Sequence, residues 1–134
     1  VGQEDRAVTT QPTVPAHLRH ELRTPLNHII GYSEMLLEEA GERGWTKLEP
    51  GLHQVHENAR QLLGLINDFL APSRIEAGVV NLGRMPAEFA APLDQIIATG
   101  ENLKEQAIQA GAEDLLPDLE RISLAAEHLR TLIR

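Results

Sequence analysis

The sequence predicts an all-α four-helix bundle made of two tandem antiparallel helical hairpins. Three observations lead there. Apolar residues recur at steps of four and three along four separate stretches, the spacing of a seam that packs helix against helix. Hydrophobic residues make up 42% of the 134-residue chain but aromatics only 3%, so Leu, Ile and Ala must fill the core. The second half also repeats the punctuation of the first. One constant shift carries Pro25 onto Pro92, Gly44 onto Gly111 and Pro50 onto Pro117, with 16 identities in the 42 ungapped positions from Pro25 to Ile66. Matching seams alone would repeat apolar positions, but these prolines and glycines mark breaks, so an internal repeat is expected.

Each element follows in turn. Residues 1–14 are polar, lack periodicity and are expected to form a flexible leader. The first hairpin spans 15–72. Its first helix carries the seam Leu22, Leu26, Ile29, Ser33, Leu36 and Ala40. The stretch "GERGW" breaks the pattern, with Gly41 and Gly44 expected to supply the turn. The second helix carries Leu52, Val55, Ala59, Leu62, Ile66 and Phe69, and Pro72 should end it. Residues 73–86 read as a linker, and 87–134 as a second hairpin. Its seams are Leu93, Ile96, Gly100, Leu103 and Ala107, then Leu119, Ile122, Ala126, Leu129 and Ile133, with "AGAEDLLP" between. Short turns force antiparallel neighbours. Because one chain supplies all four helices, a monomeric pseudo-dimer is expected.

Composition excludes several functions. The formal net charge of −8 disfavours nucleic acid and anionic membranes as partners. No apolar run approaches the roughly 20 residues of a membrane span. The chain has no Cys, so disulfides and thiolate metal sites are out, and a cytoplasmic location is expected. The chain does not open on Met and is expected to be a segment of a longer protein.

The stretch "LRHELRTPLN" concentrates the chemistry. His20 lies about 200° around the helix from the seam residue Leu22, so it should face solvent. An exposed imidazole beside a carboxylate can act as a nucleophile, with Glu21 taking the proton from one ring nitrogen as the other attacks phosphorus. Thr24, one turn on, presents a hydroxyl that can orient water. Pro25 should bend the helix just after His20. A zinc-protease pattern fails because Thr24 stands where the second His is needed. His53 and His56 with Glu57 have ligand-like spacing but no carboxylates from other helices, and are expected to be surface residues. His17, His28 and His128 carry no recognisable pattern. The second hairpin has Ala87, Ala90 and Ala91 where the first has His20, Arg23 and Thr24, keeping only Glu88 opposite Glu21. This points to one active half and one scaffold half.

"HELRTPLNHIIGYSEMLLEEA" resembles the phosphoacceptor box of the dimerisation and histidine-phosphotransfer domain of bacterial sensor histidine kinases. "LLGLINDFLAPSRIEAG" is similar to that family's second helix and exit, so the resemblance covers 17–78. It implies that His20 is the phosphoacceptor, Glu21 the general base, Thr24 the water-positioning residue and Pro25 the helix-bending proline. It also implies two partners: the ATP-binding domain of a histidine kinase, which would bring ATP and Mg2+, and the receiver domain of a response regulator. No tightly bound cofactor and no metal are expected. Antiparallel pairing would put Thr24 level with Asn67, so a receiver is expected on the first hairpin, against Asn27, His28, Gly31, Gln61, Gly64 and Asp68.

The sequence departs from the family in three ways. The second hairpin is fused in the same chain. Nothing after Gly78 resembles an ATP-binding domain, so the chain is not expected to phosphorylate itself. Ala71-Pro72 stand where the second helix usually continues. Two other functions remain open: a module that binds or sequesters a response regulator without transfer, and a structural dimerisation unit. The intact set of His20, Glu21 and Thr24 argues against both.

Overall fold

The computed structural model describes the backbone of residues 6–70 and 87–133, with side chains from residue 19 onward. Four α-helices make up the described chain: α1 (Arg6–Arg43), α2 (Glu49–Phe69), α3 (Ala90–Gln109) and α4 (Leu116–Ile133). No strand occurs among the described residues. The helices form a ring in which α1 packs on α2 and α4, and α3 packs on α2 and α4. None of them is long and apolar enough to cross a membrane.

The seams form the core as their spacing dictates. Every residue of the first two seams is buried, as are the seams of α3 and α4, except that Ile133 at the open end is half-buried. Each fully buried Leu or Ile contributes roughly 1.5–3 kcal/mol relative to exposure. The turns add Leu48, Ala112 and Leu115, and Leu70 and Phe89 add to the open end. There the rings of Phe69 and Phe89 meet edge-on at 5.6 Å, closing the core between α2 and α3.

Both hairpin turns use one device. The Trp45 N–H bonds the Ala40 carbonyl at 2.9 Å, and the Ala112 N–H bonds the Ala107 carbonyl at 2.7 Å. This six-residue closure needs a left-handed residue just past the helix end. Gly44 (φ 77°) and Gly111 (φ 75°) supply it. A 3-10 turn follows each time, at Thr46–Leu48 and Glu113–Leu115. Pro50 and Pro117 then sit in the first turns of α2 and α4, where a missing N–H costs nothing. Each feature of the first turn recurs in the second at the shift that carries Pro25 onto Pro92. Arg43 ties the two turns together, donating to Asp114 at 2.7 Å and to Glu39 at 2.9 Å, with its guanidinium 4.1 Å from the Trp45 ring.

Two boundaries differ from expectation. The leader expected over 1–14 gives way to helix at Arg6. The apolar period marks where a helix packs, whereas extending a nucleated helix needs only one backbone bond per added residue. Gly41, expected in the turn, stays inside α1, and Gly44 alone makes the reversal. The linker expected over 73–86, with Pro72, lies outside the described residues.

Candidate functional site

The site is built on the outer face of α1, near the start of the described side chains. His20, Glu21 and Thr24 are exposed, while Leu22 and Pro25 turn inward and are buried. The helix passes through Pro25 without ending. Pro25 has no N–H to give the Glu21 carbonyl one turn back. The Thr24 hydroxyl donates to the His20 carbonyl at 2.8 Å. That bond fixes the Thr24 side chain beside His20 and leaves its oxygen lone pairs to accept from water.

The two sides of His20 differ. Toward α2, Arg23 Nε donates to Asn67 Oδ1 at 2.7 Å and Arg19 donates to the Leu70 carbonyl at 2.9 Å. These bonds bridge the α1–α2 groove and give the expected register, with the Thr24 level of α1 beside the Asn67 level of α2. Toward α4 a cleft of about 420 Å³ opens. It is lined by His20, Glu21, Thr24, Pro25 and His28 from α1 and by Ala125, His128 and Leu132 from α4.

The expected site residues therefore fall into two groups. His20, Glu21, Thr24, Pro25 and His28 share the cleft. Asn27 and Gly31 are exposed on α1, and Gln61, Gly64 and Asp68 are exposed on α2, but none of these five lines it. His28 thus lines the cleft on the α4 side. A Cβ added at Gly31 or Gly64 would meet nothing within 4 Å, so helix packing within the bundle does not require glycine at either position.

Sequence reasoning missed the contribution of α4. His128 carried no local pattern because its partners lie on α1, far earlier in the chain. Pairing α1 with α4 in antiparallel register would have brought it to the site. His53 and His56 lie elsewhere, and His56 Nε2 is 2.9 Å from Glu34 Oε2. Among the described residues, no three His, Asp or Glu side chains converge as a metal site.

Chemically, the cleft offers an accessible imidazole, an adjacent carboxylate and a fixed hydroxyl, with two more imidazoles along its length. Nucleophilic attack on an electrophilic phosphorus suits that set better than metal chemistry does.

Comparison with known proteins agrees. The family described as His Kinase A (phospho-acceptor) domain matches residues 15–78. The chain is 46% identical over 68 residues to the Non-motile and phage-resistance protein of Caulobacter vibrioides, a match covering 50% of this chain and 8% of that protein. It is 30% identical over 121 residues to the Cell-division control histidine kinase PdhS of Brucella anthropi, and equally to that of Brucella ovis, covering 87% of this chain and 12% of each. The chain therefore spans about 12% or less of the length of these relatives. No solved structure matches.

Proposed function

Because residues 15–78 belong to the His Kinase A phospho-acceptor family, we propose that this chain is a two-component phosphorelay domain with His20 as its phosphoacceptor. The observation that carries the reading is the exposed His20 ring in a cleft with Glu21 and Thr24. One ring nitrogen attacks the terminal phosphorus of ATP, which is presented with Mg2+ by the ATP-binding domain of a histidine kinase. The N–P bond forms as the bond to ADP breaks, and Glu21 takes the proton from the other ring nitrogen. The phosphoryl group then passes to the carboxylate of a response-regulator receiver. Thr24 aligns water when the receiver is dephosphorylated.

The second hairpin, we further propose, is a degenerate copy that takes the place of a partner chain, which makes the protein a monomeric pseudo-dimer. The turn geometry repeated at Gly44 and Gly111 and the closed ring of four helices support this. The receiver docks on the first hairpin through Asn27, Gly31, Gln61, Gly64 and Asp68, all exposed, with His28 at the margin.

Incubation with an active histidine-kinase module and ATP tests the acceptor. Wild type should acquire acid-labile phosphate, and His20→Ala should acquire none while keeping its helical circular dichroism. Phosphate on another histidine of His20→Ala would overturn the assignment. Light scattering over a range of concentrations should give a monomer mass.

A further inference from the structure

The second hairpin does more than complete the core. We propose that His128 of α4, in its protonated form, holds the oxygens of the phosphoryl donor in the cleft while the His20 ring attacks phosphorus. The proposal rests on His20 being the acceptor and adds a binding residue from the other half of the chain.

Three observations support it. First, His128 and His20 line the same cleft from facing helices. The Arg121 guanidinium lies 5.9 Å from the Tyr32 ring. Since α4 runs antiparallel to α1, seven residues on from Arg121 and seven back from Tyr32 bring His128 level with Pro25. The two histidines are then five helical rises apart, roughly 7.5 Å along the axis. A tetrahedral phosphorus with its oxygens and leaving atom spans that gap when it sits against His20. His28 is eight residues from His20 on the same helix, roughly 12 Å of rise, and is too far to share the group.

Second, among the described residues, the charged groups around His128 leave it as the cation on the α4 side. Among the described residues, His20, Glu21 and His28 face it from α1, and no α3 residue lines the cleft. On α4 itself, Arg121 is paired with Asp118 at 2.6 Å and Arg130 with Glu127 at 2.9 Å. In a chain of net charge −8, an anionic donor needs a local cation, and the exposed His128 imidazole supplies one when it carries a second proton.

Third, the histidines follow the acceptor. The counterparts of His20, His28 and His128 in the opposite hairpin are Ala87, Gln95 and Gln61. Both imidazoles are absent from the face that has no acceptor.

Phosphoramidate tests this without a kinase. The His20 nitrogen forms the N–P bond, and the P–N bond of the N-protonated donor breaks with its electron pair on departing ammonia. The proton on the other ring nitrogen goes to Glu21 or water. Labelling is followed by 31P NMR and mapped by peptide analysis, for wild type, His128→Ala, His128→Gln and the off-cleft control His53→Ala. The readout is the ratio of wild-type to variant rate at each pH, which cancels the titration of donor and acceptor. For His128→Ala the ratio should be roughly tenfold near pH 6, the worth of one charge-assisted hydrogen bond, and should fall to about one near pH 8. His128→Gln, which keeps a donor without charge, should fall between, and His53→Ala should match wild type. A ratio of one throughout, or an equal deficit at every pH, overturns the proposal. Wild type left unlabelled at His20 overturns the acceptor reading as well, whereas label at His20 with a flat ratio overturns the role of His128 alone.

Discussion

The cleft between α1 and α4 and the groove between α2 and α3 correspond under the shift that carries Pro25 onto Pro92, and they differ in chemistry far more than in packing. Pro25, Leu132 and Glu21 have the counterparts Pro92, Leu65 and Glu88. His20, Thr24 and Ala125 face the substitutes Ala87, Ala91 and Asn58. In the α2–α3 groove, Gln54 donates to Gln95 at 2.7 Å, a neutral pair spanning the helices. Most seam residues, with Gly44, Leu48 and Pro50 of the turn, thus stay alike in both halves, while the reactive set stands in one. Burial constrains the first group and solvent leaves the second free to vary.

The comparison can be broken most sharply at its carboxylates. Glu21→Ala should slow labelling of His20 by about 100- to 10,000-fold, the usual worth of a positioned base. Glu88→Ala should leave the rate unchanged, since no histidine stands beside it. Equal effects in a kinase-module labelling assay would show that the two faces are not distinct.

Stability provides the next test. Leu26 and Leu93 are 0% and 1% exposed at matching positions. Either Leu→Ala change should cost about 2–5 kcal/mol, measured by urea unfolding. Both variants should unfold in a single transition if the hairpins share one core. Two transitions would separate them.

A smaller effect is expected at the turns. Neither Gly44 nor Gly111 has an atom within 4 Å of an added Cβ, so Gly→Ala meets only the left-handed backbone penalty. That penalty is about 1–2 kcal/mol, and it should be equal at the two sites. Unequal costs in thermal unfolding would mean that the turns are not equivalent.

The smallest effect concerns the tie between the turns. The hydrogen bond from Arg43 holds the Asp114 carboxyl below its ordinary value, aided by the charge of Arg43. A depressed carboxyl favours the folded state above the ordinary value, about 3.9, and loses that contribution as pH falls through the folded value. Asp114→Asn should therefore lower the melting temperature slightly at neutral pH and not at all in strong acid. Because the pair is exposed, added salt should shrink the difference.

The sequence by itself determined the helices, their core faces and their turns. Periodicity is a local property, and α-helix geometry converts it directly into a buried stripe, as at Leu22, Leu26 and Ile29. The family and the exposed position of His20 were legible for the same reason: "HELRTPLN" sits within three turns of one helix. The start of α1 was not, because Arg6 to Val14 extend a helix without a packing pattern. Only the tertiary structure decided which helix flanks His20 on its open side. The sequence carries no local mark of whether α2 or α4 leaves room there. The answer depends on Arg19 and Arg23 bridging to α2 and on the small Ala125 leaving a cleft against α4. His128 became part of the site through that long-range register, which no window of sequence contains.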